Sequence, residues 1–248
     1  MFDQYQDIFD QRGHAYHEAM ERFPDARREE FEAVIDFIRP RPGERIIDLP
    51  SGGGYLADYL AGVKPELLAI ETSREFYERC RLRPRMEKRL GNFHSLGEAA
   101  ASCDLLISLA AFHHIDNRPA VLAEIARVLK PGGRLCIGDV QAGSTVGKFL
   151  NGFVAAHNSM GHDGRFLDQS FTGELHSAGL RLVNQETRDF HWHFESPDDM
   201  VTFASLLFGL DRASPEQVLQ GIADCLGYVE DARGCHMNWS LIFLHAAR

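Results

Sequence analysis

The chain predicts an α/β fold, a doubly wound and mostly parallel sheet with helices on both faces. Three observations carry that expectation. Short apolar runs alternate with helical patterns from Arg45 to Val140, the sequence form of repeated strand–helix crossovers. The run Cys103–Leu109 is apolar enough for a strand buried on both faces. The first strand also ends directly on a small-residue loop, Ser51-Gly52-Gly53-Gly54, where sheets of this kind receive ligands.

The elements follow in order. Gln4 to Ile38 reads as helix with a break near Phe23-Pro24. Arg39-Pro40-Arg41-Pro42-Gly43 stops it, since proline lacks the N–H a helix needs. Arg45–Leu49 is a short strand, and a helix is expected from about Tyr55 to Ala61. Glu66–Ile70 is a second strand ending on Glu71. Ser73 is placed to cap the helix through Phe76 and Tyr77, and a weaker strand lies near Glu87–Leu90. Val121, Leu122, Ile125, Val128 and Leu129 share one face of a 3.6-residue period, and Pro131-Gly132-Gly133 is expected to end that helix. Arg134–Val140 is the next strand. Ser144–Met160 and Phe171–Ala178 then read as helices, and Leu180–Phe194 alternates as a strand. Asp198–Gly209 and Pro215–Leu226 read as two more helices before a last strand, Trp239–Leu244. Helices between the final strands exceed what a minimal sheet domain needs. Residues 195–230 are therefore expected to form a cap, beside an N-terminal helical lid at 1–40 and a cofactor-binding core at 41–140.

The 248 residues suit a single domain. With 44% hydrophobic residues there is ample apolar side chain to bury, which excludes disorder as the main theme. Asp and Glu number 36 against 26 Lys and Arg, a net charge of -10. That argues against nucleic acid as a partner, because a phosphate-backbone binder needs a basic face. No stretch approaches the roughly 18 apolar residues of a bilayer span, so no membrane partner is expected. Met1 to Gly13 has no basic region leading into an apolar run, so no secretory signal is expected either. The five cysteines (Cys80, Cys103, Cys136, Cys225, Cys235) are scattered and odd in number, which fits free thiols in a reducing compartment. The expectation is a cytoplasmic monomer or homodimer whose partner is a small molecule.

The informative stretch is Ile46-Ile47-Asp48-Leu49-Pro50-Ser51-Gly52-Gly53-Gly54. A strand ends in a carboxylate, and a loop without bulky side chains turns into a helix whose first N–H groups are unpaired. No Gly-Lys-Ser/Thr follows, so this is no phosphate loop of that type. Glu71 ends the second strand about twenty residues later, where a carboxylate receives ribose hydroxyls in nucleotide-binding sheets.

Asp48 to Gly54 resembles the first motif of class I S-adenosylmethionine-dependent methyltransferases, an acidic residue followed by alternate glycines. The block CDLLISLAAFHHIDNRPAVLAEIARVLKPGGRLCIGDV, from Cys103 to Val140, is similar to that family's fourth strand, following helix and fifth strand. Its two histidines before an acidic turn resemble the small-molecule, type 11-like branch. The resemblance covers Arg45 to Val140 closely and the rest in layout. It implies a seven-stranded sheet whose last strand, near Trp239–Leu244, runs antiparallel. It implies S-adenosyl-L-methionine as cofactor and S-adenosylhomocysteine as product. Gly52 and Gly54 would lie against the methionine part, Glu71 would hold the ribose, and Asn92 and Phe93 would flank the adenine. Asp48, Pro50, Ser51, Thr72 and Leu109 complete the expected cofactor site. Two residues depart from the family pattern. Pro50 stands where the first motif glycine usually sits and removes an N–H. Asn92 replaces the commoner Asp, and its carbonyl oxygen can still accept from the adenine amino group.

The activity so implied is transfer of the sulfonium methyl to N, O or C of a small organic acceptor. This is an in-line displacement in which positioning supplies much of the acceleration. Two alternatives stay open. One is a cofactor-binding protein that has lost transfer or uses the sulfonium for other chemistry. The other is a nucleotide-dependent oxidoreductase, which would need a GxGxxG loop that is absent.

A base is needed only where the acceptor has a proton to lose. His113 and His114, just beyond the fourth strand, are the candidates, although His113 could equally cap the helix or pack structurally. His191 and His193 share a face of their strand, which could line an acceptor pocket or bind a metal. No Cys or carboxylate stands at a supporting spacing, so no metal is expected. His157, His162 and Arg165 fall after the fifth strand, where the resemblance places acceptor contacts. Tyr5 and Tyr16 are either core residues or part of a lid. Phe203 belongs to the apolar helix expected to roof an acceptor cavity suited to an aromatic or acyl-type molecule.

Overall fold

Apolar side chains on alternate positions of the central strands point to opposite faces, and each face needs its own cover. Ile46, Leu105 and Ile107 belong to one buried cluster, Ile47, Leu106 and Ile70 to another. The sheet between them is therefore packed on both sides, as a parallel sheet must be. The computed structural model describes residues 4–248. The first three residues of the expected lid lie outside them.

Strands β1 (Arg45–Asp48), β2 (Glu66–Glu71), β3 (Met86–Leu90), β4 (Cys103–Leu109) and β5 (Leu129–Asp139) run parallel, followed by β6 (Arg181–Phe194), β7 (Tyr228–Asp231) and β8 (Gly234–Ala247). The order across the sheet is β3-β2-β1-β4-β5-β8-β6, with β7 paired to β8, and β8 is antiparallel to β5, β6 and β7. The antiparallel last strand agrees with expectation. The strand count does not: among the described residues the sheet has eight strands, because the polar run Tyr228–Asp231 folds back on β8 as an edge hairpin.

The N-terminal helices are α1 (Gln4–Arg22) and α2 (Arg28–Ile38), broken at Phe23-Pro24 as expected. Between strands lie α3 (Leu56–Leu60), α4 (Arg74–Arg79) and α5 (Arg118–Val128). Ser73 caps α4 by accepting from the Phe76 N–H, and Asn117 caps α5. Helix α5 ends at Val128, three residues before the expected stop. Leu129 already pairs with Cys103, and Arg134 next pairs with Leu105, so Pro131-Gly132-Gly133 is an irregularity within β5 rather than a helix terminator. After β5, α6 (Thr145–Lys148) passes through a π-helical stretch, Phe149–Val154, into α7 (Ala155–His157). Helix α8 (Phe171–Ser177) precedes β6, and α9 (Pro197–Phe208) and α10 (Pro215–Cys225) separate β6 from the β7–β8 hairpin. No helix among the described residues is long and apolar enough to cross a membrane.

Candidate active site

Strand order reverses at β1, whose neighbours are β2 on one side and β4 on the other. The loops leaving β1 and β4 therefore diverge and open a crevice at their carboxyl ends. The loop after β1 is held by its backbone. Leu49 N–H donates to Ile107 O, Ser51 N–H to Ile70 O, and Gly54 N–H to Ser51 O at 2.9, 3.0 and 2.8 Å. None of these bonds asks for a donor at residue 50, so Pro50, after a cis peptide bond, fits the loop. Gly54 has φ +78°, and a Cβ there would meet Cys80 Sγ at 2.8 Å and Met86 Cε at 2.9 Å. Only glycine fits.

Glu71 closes the crevice floor. One carboxylate oxygen accepts from Thr72 N–H and Ser73 N–H at 2.7 and 2.8 Å, the other from Gly52 N–H at 2.6 Å and the Tyr5 hydroxyl at 3.4 Å. Burial pushes its carboxyl up to about 8, against the pull of these donors. Asp48 is buried, has no hydrogen bond from the described residues, and is raised by burial and by Glu71. The Ser51 and Thr72 hydroxyls are buried without a partner among the described residues. Two buried carboxylates and two unpartnered hydroxyls around a glycine turn fit a ligand with ribose hydroxyls and positive charge, which S-adenosyl-L-methionine has.

A second, mostly apolar cavity adjoins the crevice. Phe9, Tyr16, Arg27 and Ala110 line both. Its own wall includes Ile8 and Arg12 from α1, Leu150 and Val154 from the π-helical stretch, and Trp192 from β6. Leu207, Phe208, Trp239 and Leu241 close it. Trp192 and Trp239 stack at 4.2 Å. Glu30 also faces the cavity: it pairs with Arg27, and its carboxylate accepts from Trp192 Nε1–H at 2.9 Å. Arg27 in turn donates to the Tyr16 hydroxyl. This buried charge is thus fully partnered.

The polar end of the cavity is imidazole. After β4 the chain turns at Ala110, whose N–H donates to Gly138 O at 2.7 Å, and a short 3-10 turn presents His113 and His114. Asp139, at the end of β5, fixes that turn. Its carboxylate accepts from the His113 N–H at 3.1 Å and lies 2.6 Å from His113 Nδ1. Burial would raise Asp139, but His113 and the Val140 N–H hold it below the usual carboxylate range. His162 reaches the same place from the loop after α7. Burial, then His113 and His162, push His114 well below its ordinary value; burial, His113 and Arg12 push His162 down to about 3.

Residues 47–137 match the family described as a methyltransferase domain. The match runs from β1 into β5, the part of the chain that frames the crevice. The chain is 32% identical over 115 residues to an O-methyltransferase of Pyrenophora dematioidea, covering 43% of each chain. It is 30% identical over 128 residues to a tRNA (carboxymethyluridine(34)-5-O)-methyltransferase of Macaca fascicularis, covering 49% of this chain and 18% of that one. Among solved structures, phosphoethanolamine N-methyltransferase 2 of Haemonchus contortus superposes with a TM-score of 0.66 at 15% identity, over 98% of this chain and 60% of that one. The chain spans about half or less of the length of the curated relatives it matches.

Within this fold the expected residues divide. Asp48, Pro50, Ser51, Gly52 and Leu109 line the crevice, Glu71 and Thr72 meet at its floor, and Phe93 is buried edge-on against Tyr5 at 5.6 Å. Asn92 is exposed, and its Oδ1 accepts from His94 N–H at 2.7 Å. His113, His114, His162 and Tyr16 line the cavity; Tyr5 belongs to the crevice.

Four acceptor-site expectations are corrected. His157 stacks on Phe153 and bonds to its carbonyl, outside the cavity. Arg165 is exposed and paired with Glu174 at 2.7 Å. His191 and His193 face Glu29 on the outer side of β6, because the parity of the strand turns Trp192 inward. Phe203 packs on Phe23, Trp192 and Phe194, and the cavity face of α9 is Leu207 and Phe208 instead. Arg12, Asp139, Trp192 and Trp239 carry no local motif. The one available signal was the tryptophan itself, at position 192 of the alternating strand Leu180–Phe194.

Proposed function

We propose that the protein transfers the methyl group of S-adenosyl-L-methionine to an oxygen, nitrogen or carbon of a small, largely apolar acceptor. The observation that carries this is the meeting of two compartments, an acidic crevice at the glycine loop and an apolar cavity, along Phe9, Tyr16, Arg27 and Ala110. When bound, the cofactor supplies an electrophilic methyl on a positively charged sulfur.

The chain's own groups do the rest. Glu71 is set by three backbone N–H groups to accept from ribose hydroxyls, displacing the long Tyr5 contact. Asp48 offers buried negative charge beside it. The aromatic wall of Trp192, Trp239 and Phe208 excludes water and orients an apolar body. His113, oriented by Asp139, and His114 handle the acceptor's proton where it has one. The overall charge of -10 favours a small acceptor over RNA, despite the tRNA-modifying relative.

Calorimetric titration with S-adenosylhomocysteine, followed by an acceptor screen for methylated product, tests the reading. Binding with turnover of an aromatic or acyl-type acceptor is expected. Binding without turnover of any acceptor would favour a cofactor-binding role, and no binding would sink the proposal.

A further inference from the structure

We propose that His113, His114 and His162 form a site for one divalent transition-metal ion, with an open coordination position facing the apolar cavity. One ring nitrogen from each histidine lies within 4.8 Å of the other two. A tetrahedral zinc ion needs about 3.3 Å between ligand nitrogens, given Zn–N distances of ~2.0–2.1 Å. Binding an ion would draw the three rings together from the spacing they have without it.

The hydrogen bonds around the cluster decide which nitrogens are free. Asp139 is an ionised carboxylate and can only accept, so His113 carries its proton on Nδ1, 2.6 Å away, and keeps a lone pair on Nε2. For His162 the argument runs through Asn151. The Asn151 amide donates from Nδ2 to Gly164 O and accepts at Oδ1 from Gly164 N–H, both at 2.8 Å, which fixes its orientation. His162 Nδ1, 2.7 Å from that Oδ1, must therefore be the donor, and its Nε2 is bare. His114 is buried, and neither of its ring nitrogens has a hydrogen-bond partner among the described residues. Two buried imidazoles and a half-buried one meet with at least two bare lone pairs and no hydrogen-bond donor supplied to them by the described residues. Lone pairs gathered in this way are satisfied by water or by a cation.

The surroundings match the outer partners of metal-binding histidines. A carboxylate holds one ligand and an amide carbonyl another, fixing tautomer and ring orientation. Three neutral imidazoles without a carboxylate oxygen select the zinc, cobalt and nickel class over magnesium or calcium. Arg12, on the cavity wall, is the neighbouring charge that opposes the ion, and Asp139 is the one that favours it. Three protein ligands leave a fourth position for a water or for an acceptor oxygen or nitrogen. An acceptor held there would lie with its apolar body against Trp192 and Trp239, and the ion rather than His113 would then acidify it. That role rests on the methyl-transfer reading; the metal site itself does not.

The test uses the full-length, untagged protein stripped with a chelator and titrated with Co2+ (visible absorption) and Zn2+ (calorimetry). One equivalent of each is expected to bind. His162→Ala and His162→Gln should each weaken binding by about a hundredfold or more, and Asp139→Asn by about tenfold to a hundredfold. His193→Ala removes a member of the outer His191, His193, His236 and Glu29 group and should leave binding unchanged. Absence of stoichiometric binding, or binding lost with His193→Ala and kept in both His162 variants, overturns the proposal. S-adenosylhomocysteine is titrated in parallel. Metal binding that tracks His162 without cofactor binding upholds the ion site and overturns the transfer reading instead.

Discussion

The crevice and the cavity share a wall and little else. The crevice is built from backbone: a glycine turn, N–H groups converging on Glu71, and carboxylates at the ends of adjacent parallel strands. The cavity is built from side chains contributed by α1, the start of α2, the turns after β4 and β5, the π-helical stretch, the loop after α7, β6, α9 and β8. One end is acidic, and its carboxylates are raised by burial. The other is imidazole and aromatic, and its His114 and His162 are lowered by burial. The lesson is that geometry imposed by strand order is written locally in a sequence, whereas a wall assembled from segments spread along the chain is not.

The largest effect expected is on cofactor affinity. Glu71→Gln replaces one acceptor oxygen by an amide donor facing backbone N–H groups and should weaken S-adenosylhomocysteine binding by about tenfold to a hundredfold in calorimetry. Glu71→Ala should also lower the melting temperature, because it strands three backbone N–H groups at about 1–3 kcal/mol each. Unchanged affinity in the Gln variant would remove Glu71 from the ribose site. Next in size is a change confined to the cavity. Leu207→Trp fills the acceptor space and should reduce turnover by about tenfold or more, with cofactor affinity within about twofold of the wild type. If both fall together, the compartments are not separable.

The smallest effect is a pair of opposed pH dependences. Histidines lowered in the folded state contribute stability that is present above about 6.5 and lost as pH falls toward the value near 3 held by His162. Glu71 is raised instead, so its contribution is present below its ordinary value near 4.5 and lost as pH rises through about 8. Melting temperature against pH should therefore peak at a more acid pH in His162→Gln and at a more alkaline pH in Glu71→Gln. Shifts of the same sign would contradict this account of the two ends.

Legibility followed the same divide. The five parallel strands and the cap at Ser73 were readable because hydrophobic period and capping chemistry act within a few residues. The β7–β8 hairpin was not, because Tyr228-Val229-Glu230-Asp231 is a polar edge strand with no apolar alternation to mark it. On β6 the His191 and His193 pair drew the eye, yet the cavity takes Trp192 between them. Which parity faces inward depends on where β8 and α9 lie, a tertiary fact. His113 and His162 were both visible as candidates. Their union through Asp139 and Asn151, residues 26 and 11 positions away, was not.

Helix α1 supplies Tyr5 to the crevice, Ile8 and Arg12 to the cavity, and Phe9 and Tyr16 to both. A single rigid rod across two chambers behaves as a common door. Were it to swing, neither chamber would stay sealed while the other emptied, and passage of the two proposed reactants would be tied to one event. Any motion slow enough to limit α1 would set the pace of the whole cycle, whatever the intrinsic speed of the bond exchange.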